Sequence, residues 1–276
     1  MDIKKIAILG SGSMGTAILS GLLKAGFDAA NVAVSTKSQA SAHSLVQRFG
    51  VTAHSAEANE SANAQAVIGA DLVLVAVKPA YITQVLRDVS ANLNADALVV
   101  SVAAGITTAA MEDAVPTSVA VVRSMPNTPA IVGRAVTGVA AGSRVSDENL
   151  RKAVSLFETV GKVVVLPESQ IDELGTVSGS GPAYVFYLVE QFTTAAIELG
   201  FTPETAALLV SETFLGASEL LAASDKSPAE LRRQVTSPNG TTERAIAQLE
   251  TGNLQDLFER ATRAALARSK ELAAGN

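Results

Sequence analysis

Short apolar runs and helical stretches alternate along the first half of the chain. The runs predict strands at residues 4–9, 32–34, 71–77, 97–103, 119–123, 135–139 and 162–166. This alternation is typical of successive β-α-β units. Because runs such as LVLVAV and ALVVSVA are apolar at nearly every position, they favour a sheet that helices cover on both faces. We therefore predict an α/β fold with a doubly wound, mainly parallel sheet over residues 1–166.

The second half of the chain has a different pattern, and it predicts no strand. Apolar positions with helical spacing predict helices at residues 182–199, 203–223, 228–235, 242–251 and 254–274. Proline stands near the start of three of these helices, where its missing N–H does no harm. We predict that residues 167–276 form an all-helical C-terminal domain.

Two of these helices, at residues 182–199 and 203–223, are apolar on nearly every side. Such helices must be buried all round. Since a domain of this size has little interior, we predict that a second subunit covers them and that the protein is a homodimer with intertwined helices. The alternative is a single compact bundle with an apolar central helix, and a monomer in solution would support it.

The composition excludes several kinds of site and partner. The 276 residues include no cysteine and only two histidines, His43 and His54, which excludes disulfides, Fe–S clusters and zinc–thiolate sites. The net charge is −6, and the excess acidity lies in the second half. With no basic stripe and no uninterrupted apolar run of about 18 residues, we predict no nucleic-acid partner, no membrane partner and a cytoplasmic location. We predict no metal site.

A glycine-rich turn follows the first predicted strand and opens a helix. Gly10, Gly12 and Gly15 have the spacing G-x-G-x-x-G, which permits a tight turn, lets the backbone approach a pyrophosphate and lets the helix pack on the strand. This context predicts a dinucleotide site in a Rossmann-type domain. A glycine turn that serves packing only is the alternative.

The end of the second strand distinguishes between the two nicotinamide dinucleotides. NAD enzymes usually place an acidic residue there for the ribose 2′-hydroxyl. This chain has Ser35, Thr36 and Lys37 instead, and hydroxyls with a lysine suit a 2′-phosphate. We predict that NADPH is preferred over NADH, the alternative being that Lys37 is an ordinary surface residue.

Few groups remain for acid–base chemistry. No lysine or arginine occurs between residues 163 and 225, where the 3-hydroxyacid dehydrogenases carry a catalytic lysine, and no tyrosine is followed four residues later by lysine. Both histidines lie in the first half of the chain. A site without a strong acid suits a substrate that arrives activated, such as a protonated cyclic imine.

Two turns in the second half are suited to bind such a substrate. The segment SGSGP at residues 178–182 precedes a helix, so free amides and hydroxyls at a positive helix end could bind an anion. A capped helix start explains the same residues. The segment TSPNGTT at residues 236–242 leads into another helix, where Thr241 or Thr242 could be only an N-cap.

The order of motifs resembles the pyrroline-5-carboxylate reductase family over essentially the whole length. The motifs are the glycine turn, AVKP at residues 76–79, VAAG at 102–105, MPNTP at 125–129, SGSGPAY at 178–184 and TSPNGTT at 236–242. The resemblance implies an N-terminal Rossmann domain and a helical domain that interlocks as a homodimer, often assembled further into decamers. It also implies NADPH-dependent reduction of 1-pyrroline-5-carboxylate to L-proline, the last step of proline biosynthesis.

The resemblance also implies which residues form the site. Those that would contact the cofactor are Leu9, Gly10, Ser11, Gly12, Ser13, Met14, Ser35, Thr36, Asn63, Ala76, Val77, Lys78, Pro79, Val102, Ala103 and Ala104. Those that would bind the substrate are Ser178, Gly179, Ser180, Gly181, Asn239, Gly240, Thr241 and Thr242. In this scheme Thr242 is the catalytic residue, because its hydroxyl would hydrogen-bond the ring nitrogen and orient it.

The chain departs from the family pattern at two places. Asn239 stands where the family usually has glycine, and asparagine tolerates the left-handed backbone that such a turn needs. The segment at residues 53–70 is several residues longer than is typical. Two other functions stay open: an NADP-dependent reductase of another imine or small acid, and a sensor that binds NADP without turnover.

Overall fold

The computed structural model describes residues 3–273, in which eight strands form one sheet. The strands are β1 (Ile6–Leu9), β2 (Val32–Thr36), β3 (Thr52–Ser55), β4 (Leu72–Val75), β5 (Leu98–Ser101), β6 (Ala120–Met125), β7 (Ala135–Ala141) and β8 (Gly161–Val165). Their order across the sheet is β3-β2-β1-β4-β5-β6-β7-β8. All neighbours pair in parallel except β6 and β7, which confirms the predicted doubly wound, mainly parallel sheet.

Strand β3 was not among the predicted strands. Its residues run from exposed Thr52 through partly buried Ala53 and His54 to buried Ser55, and they contain no apolar run. The reason lies in its place at one edge of the sheet, where it pairs only with β2. An edge strand buries less of its surface than a central one, so its sequence need not be apolar.

Twelve α-helices accompany the strands within the described residues. Six precede β8 in the chain: α1 (Ser13–Lys24), α2 (Gln39–Phe49), α3 (Ala62–Val67), α4 (Ile82–Val89), α5 (Thr108–Glu112) and α6 (Asp147–Glu158). The others follow it: α7 (Ile171–Leu174), α8 (Gly181–Glu198), α9 (Pro203–Ala223), α10 (Pro228–Gln234), α11 (Thr241–Thr251) and α12 (Leu254–Ala273). The predicted helices of the second half agree within a residue, although residue 274 lies outside the described range.

Two apolar layers lie on opposite faces of the sheet. Alternate strand residues such as Ile8 and Leu74 pack with Leu19 of α1 and Phe157 of α6. The intervening residues, such as Val73, pack with α3, α4 and α5. Because both faces are covered, the residues of β1, β4 and β5 are buried throughout, as their continuous apolar sequences predict.

The described chain packs as two units. The first comprises the chain up to Ser180 together with the residues from Ala265 onward, and the second is Gly181–Ala264. Helix α7 belongs to the first unit because it packs on β7, where a Cβ on Gly138 would lie 2.8 Å from a Leu174 methyl group. The division into a Rossmann domain over residues 1–166 and an all-helical dimerisation and substrate domain over residues 167–276 stays a prediction.

The second unit has a small core of its own. Ala196 of α8 packs with Ala206 and Val210 of α9, and the other apolar side chains of these helices are largely exposed in the single chain. Phe186 is 68% exposed and Leu208 is 63% exposed. Exposed apolar surface on this scale is typical of a surface that another molecule covers.

Helix α9 is unusually long and apolar. Within residues 3–273 it is the one helix whose length and apolar composition would suffice to cross a membrane, with a mean hydropathy of 1.4. The core helices of globular proteins pass the same test. Glu204, Glu212 and Glu219 interrupt its apolar sequence.

Candidate active site

The predicted cofactor segments follow the carboxyl ends of neighbouring parallel strands, so they lie side by side at one end of the sheet. Leu9, the last residue of β1, pairs with Ser35 of β2 and with Val75 at the end of β4. Val75 in turn pairs with Ser101 at the end of β5. The glycine turn, the AVKP segment and the VAAG segment therefore start side by side, at the position where doubly wound folds bind ligands.

The glycine turn is anchored on the second strand. The amides of Gly10 and Ser11 both donate to the carbonyl oxygen of Ser35, at 3.2 Å. Gly10 has a φ of +86°, and a Cβ there would lie 2.9 Å from the Ala76 carbonyl oxygen. A Cβ on Gly15 would lie 2.6 Å from the carbonyl oxygen of Gly10. Both positions therefore require glycine to close the turn.

Gly12 differs from its neighbours because space surrounds it. It is the N-cap of α1, no side chain caps this helix, and a Cβ at Gly12 would meet no atom within 4 Å. An uncapped helix N-terminus beside an open glycine is the arrangement that receives a pyrophosphate in dinucleotide-binding proteins. The turn thus fits a dinucleotide, and Gly12 to Gly15 would hold its phosphates.

Two predicted cofactor residues contact each other directly. The hydroxyl of Ser35 donates to Oδ1 of Asn63 at 2.6 Å, so α3 and β2 are joined beside the glycine turn. Ser35 is buried, and so is Thr36, whose hydroxyl donates to the Ser38 carbonyl oxygen at 2.9 Å. The protons of both hydroxyls therefore point to oxygens of the protein, and each hydroxyl would have to rotate to donate to a 2′-phosphate. That Ser35 and Thr36 contact the cofactor stays a prediction.

The cationic group expected for that phosphate stays at the surface. Lys37 is exposed and lines an open cleft of about 550 Å³ with Ser38, Ala56 and Glu57. Glu57 was missed in the sequence because it follows the unpredicted strand β3 rather than β2. Its carboxylate accepts a hydrogen bond of 2.8 Å from the amide of Gln39, the first residue of α2.

The other two cofactor segments continue from the strand ends. The amide of Ala76 donates to the Leu9 carbonyl at 2.7 Å, and the amide of Val102 donates to the Val75 carbonyl at 3.1 Å. Ala103 is buried in the apolar layer beneath, so only its backbone can face a ligand. Lys78, Pro79 and Ala104 are exposed.

Most of the SGSG segment is helical: Ser178 and Gly179 end a π-helical turn, Ser180 forms a bend, and Gly181 begins α8. Residues Gly175–Gly179 form a π-helical turn that joins α7 to α8. The Ser180 amide donates to the Gly175 carbonyl at 2.9 Å, and the Ser178 hydroxyl donates to the Leu174 carbonyl at 3.2 Å. The expectation of free amides and hydroxyls ahead of a helix is therefore wrong for these two groups. Turns of this kind are frequent at functional sites.

Asn127 of the MPNTP motif holds the π turn in place. Pro182 has no N–H, so it cannot bond the Ser178 carbonyl four residues earlier, and the side-chain amide of Asn127 donates to that oxygen at 2.9 Å. The Asn127 Oδ1 accepts from the Val136 amide, also at 2.9 Å. Sequence reasoning misses this role of Asn127, because its partner Ser178 is 51 residues away.

A buried ion pair supports the same region. Arg123 of β6, only 3% exposed, donates to Asp172 of α7 at 2.7 Å and lies 3.6 Å from Glu168. The Glu168 carboxylate also accepts from the amide and the hydroxyl of Thr108. Asp172 also lines a small cavity of about 110 Å³, together with Ala104, Met125, Ile171, Gly175, Thr176, Ser180, Ala265 and Ser269.

The predicted substrate turn in the second unit starts helix α11. Gly240 is the N-cap and provides no side-chain cap, so Thr241 and Thr242 are the first two residues of the helix. The N-cap explanation of these threonines is therefore wrong. Asn239 has a φ of +59°, the left-handed conformation expected of it. Its amide donates at 2.9 Å to the carboxylate of Glu243, a contact that sequence reasoning missed.

The described residues hold no cluster of three or more histidine, aspartate or glutamate side chains that could bind a metal ion. In the first unit the candidate binding segments are the glycine turn and the π turn. In the second unit the candidate segment is the start of α11.

Comparisons with known proteins agree with these features. Residues 168–272 match the family model of pyrroline-5-carboxylate reductase dimerisation, and residues 5–105 match that of NADP oxidoreductase, coenzyme F420-dependent. The pyrroline-5-carboxylate reductase of Corynebacterium melassecola is 39% identical over 97% of this chain and 98% of its own. That of Pseudomonas aeruginosa is 40% identical over 99% of this chain and 98% of its own.

Solved structures are similar over the same length. A pyrroline-5-carboxylate reductase from Coxiella burnetii has a TM-score of 0.89 at 38% identity and covers 98% of both chains. A Plasmodium falciparum pyrroline carboxylate reductase with NADP bound has a TM-score of 0.83 at 25% identity, covering 99% of this chain and 98% of its own. The glycine turn, the helical second half and this full-length similarity together show that the chain belongs to the pyrroline-5-carboxylate reductase family.

Proposed function

We propose that this chain reduces 1-pyrroline-5-carboxylate to L-proline with NADPH, the last step of proline biosynthesis. The observation that carries this proposal is the 39–40% identity to two pyrroline-5-carboxylate reductases over nearly the whole length of each chain. Similarity of this extent includes both the dinucleotide-binding half and the helical half. An NADP-dependent reductase of another imine or small acid is the alternative.

The cofactor assignment draws on independent observations. The N-terminal match is to an NADP oxidoreductase model, and a structural relative was solved with NADP bound. The uncapped start of α1 at Gly12 supports pyrophosphate binding. We propose a preference for NADPH over NADH because Lys37 is the exposed cation of the cleft beside β2.

Because a protonated imine accepts hydride without a strong acid or base, the protein mainly has to bind and orient the two reactants. When bound, NADPH supplies the hydride from its nicotinamide C4 to the imine carbon of the substrate. We propose that the hydroxyl oxygen of Thr242, in the first turn of α11, accepts a hydrogen bond from the protonated ring nitrogen and orients it. We also propose that the substrate carboxylate binds near residues 178–181, where the π turn meets the positive end of α8.

We further propose the assembly and the location. The match to a dimerisation domain and the exposed apolar faces of α8 and α9 support a homodimer. We propose that dimers associate further into a decamer and that the protein is cytoplasmic, with the apolar α9 covered by the partner subunit rather than by lipid.

A direct assay tests the reaction. Purified protein is mixed with NADPH and 1-pyrroline-5-carboxylate, loss of the near-ultraviolet absorbance is followed, and the product is identified by mass spectrometry. We expect rapid turnover to proline. Parallel assays with other cyclic imines and small 2-oxo or hydroxy acids provide the control, because faster turnover of one of these would favour the alternative function.

A further inference from the structure

The cleft beside β2 contains a carboxylate where a 2′-phosphate would have to bind. The backbone of residues 56 and 57 runs next to that of residues 36 and 37, with the Ala56 amide donating to Thr36 at 2.9 Å and the Glu57 amide donating to Lys37 at 3.1 Å. These two bonds extend the pairing of β2 and β3 past the end of each strand. Glu57 is therefore fixed directly beside Lys37.

The Glu57 side chain also uses the start of α2. Its carboxylate accepts from the Gln39 amide at 2.8 Å, while the N-cap Ser38 accepts from the Ser41 amide at 3.2 Å. A phosphate at this helix start would need the same amides and the same positive potential. Two of those amides are already bonded, one of them to a negative charge.

We propose that Glu57 is a specificity residue that weakens binding of the 2′-phosphate and favours the unphosphorylated ribose. This inference rests on the proposed use of a nicotinamide dinucleotide. NADPH and NADH differ only in the 2′-phosphate, so a carboxylate at this place acts on one of them selectively. Rossmann enzymes that use NAD bind the ribose 2′-hydroxyl with a carboxylate at the end of the second strand. Here that strand has none, and Glu57 supplies a carboxylate from the end of the neighbouring strand β3.

Lys37 and Glu57 then act in opposite directions at one cleft. Lys37 attracts the phosphate, and Glu57 repels it and occupies the Gln39 amide. Selectivity for NADPH is consequently smaller than the lysine alone would give. Because both side chains are exposed, their effects depend on ionic strength.

The test compares two ligands that need no catalysis. Adenosine 2′,5′-bisphosphate carries the 2′-phosphate, and 5′-AMP lacks it. Calorimetric titration of the full-length protein at low salt gives both dissociation constants. Glu57→Gln keeps the shape of the side chain and an oxygen for the Gln39 amide, removes the charge and exchanges one acceptor oxygen for an amide donor. For loss of one exposed like charge we expect adenosine 2′,5′-bisphosphate to bind about 2- to 5-fold more tightly, while binding of 5′-AMP is unchanged or weaker.

Glu60→Gln is the matched control, since Glu60 is exposed in the same segment and its loss changes the net charge equally. We expect it to leave both dissociation constants unchanged. In steady state, Glu57→Gln should raise the ratio of kcat/KM for NADPH to that for NADH by the same factor.

Two results would overturn the inference: an equal change in both dissociation constants, or equal effects of the two variants. The first would show that Glu57 only caps α2, and the second that only net charge matters. Failure of the proposed reaction is distinguishable, because it would abolish turnover with both cofactors while leaving the two titrations interpretable.

Discussion

At the residue scale, two glycines of one turn have different surroundings. We expect substitution of one to lower the stability of the protein and substitution of the other to weaken cofactor binding. A Cβ at Gly15 would lie 2.6 Å from the Gly10 carbonyl oxygen, so Gly15→Ala should destabilise the protein by about 1–3 kcal/mol. A Cβ at Gly12 meets open space, so Gly12→Ala should leave the free energy of unfolding within about 0.5 kcal/mol. It should nevertheless weaken NADPH binding about 10-fold or more, because the methyl group occupies the space of the pyrophosphate.

Urea denaturation and NADPH titration measure the two effects separately. Each variant is the control for the other, since both replace one hydrogen by a methyl group in the same turn. Unchanged NADPH affinity in Gly12→Ala would show that the dinucleotide does not approach this turn.

Thr242 is the residue on which the proposed chemistry depends. Thr242→Val replaces the hydroxyl by a methyl group of similar shape, and we expect kcat to fall by about 10²-fold because the ring nitrogen loses its orienting partner. Thr242→Ser keeps the hydroxyl and should retain most of the activity. Since Gly240 rather than Thr242 is the N-cap, helix α11 should form equally in both variants, which circular dichroism can check. Equal kcat values for the valine variant and the original chain would remove Thr242 from the mechanism.

At the element scale, the π turn between α7 and α8 depends on a side chain from a distant motif. Asn127→Ala would leave the Ser178 carbonyl and the Val136 amide without their partner in a partly buried region. We expect a loss of about 1–3 kcal/mol in the free energy of unfolding, together with a higher KM for the imine substrate. Asn127→Asp keeps the acceptor for Val136 and removes the donor to Ser178, so it separates the two bonds. A higher KM for NADPH with an unchanged KM for the imine would contradict this role.

The elements differ in how far the sequence predicts them. Central strands and long helices follow from apolar periodicity, and their observed bounds lie close to the predicted ones. The edge strand β3 has no such pattern, because it buries little surface. The π turn depends on Asn127 and on the close packing of Gly179, whose Cβ would lie 3.2 Å from Met125. Contacts over such sequence separations leave no local signal.

The candidate site shows the same limit. The glycine spacing predicts the turn and its anion-binding helix start, because local geometry alone requires it. The sequence does not predict which acceptor a hydroxyl donates to. Ser35 and Thr36 look suited to a phosphate in the sequence, yet in the structure both donate to oxygens of the protein. Glu57 reaches the cleft only because β3 pairs with β2.

At the scale of the whole molecule, the apolar helices predict the assembly. Phe186 is 68% exposed on α8 in the single chain, and a dimer interface would bury it. We expect the original protein to elute as a dimer or a larger assembly in size-exclusion chromatography with light scattering. Phe186→Glu should shift it toward the monomer, because an unpaired carboxylate in an apolar interface is strongly unfavourable. Gln47→Glu, on the exposed face of α2, is the control and should not change the mass. A monomer at micromolar concentration would contradict the dimer.

In the proposed reaction, hydride passes from the nicotinamide ring to the imine carbon of 1-pyrroline-5-carboxylate. The most direct test uses NADPH with deuterium at the transferred position of C4 and analyses the product by mass spectrometry and NMR. We expect one deuterium per L-proline, on the ring carbon that was doubly bonded to nitrogen. Proline without deuterium, or no proline despite measurable NADPH binding, would contradict the claim and assign the site to a different substrate.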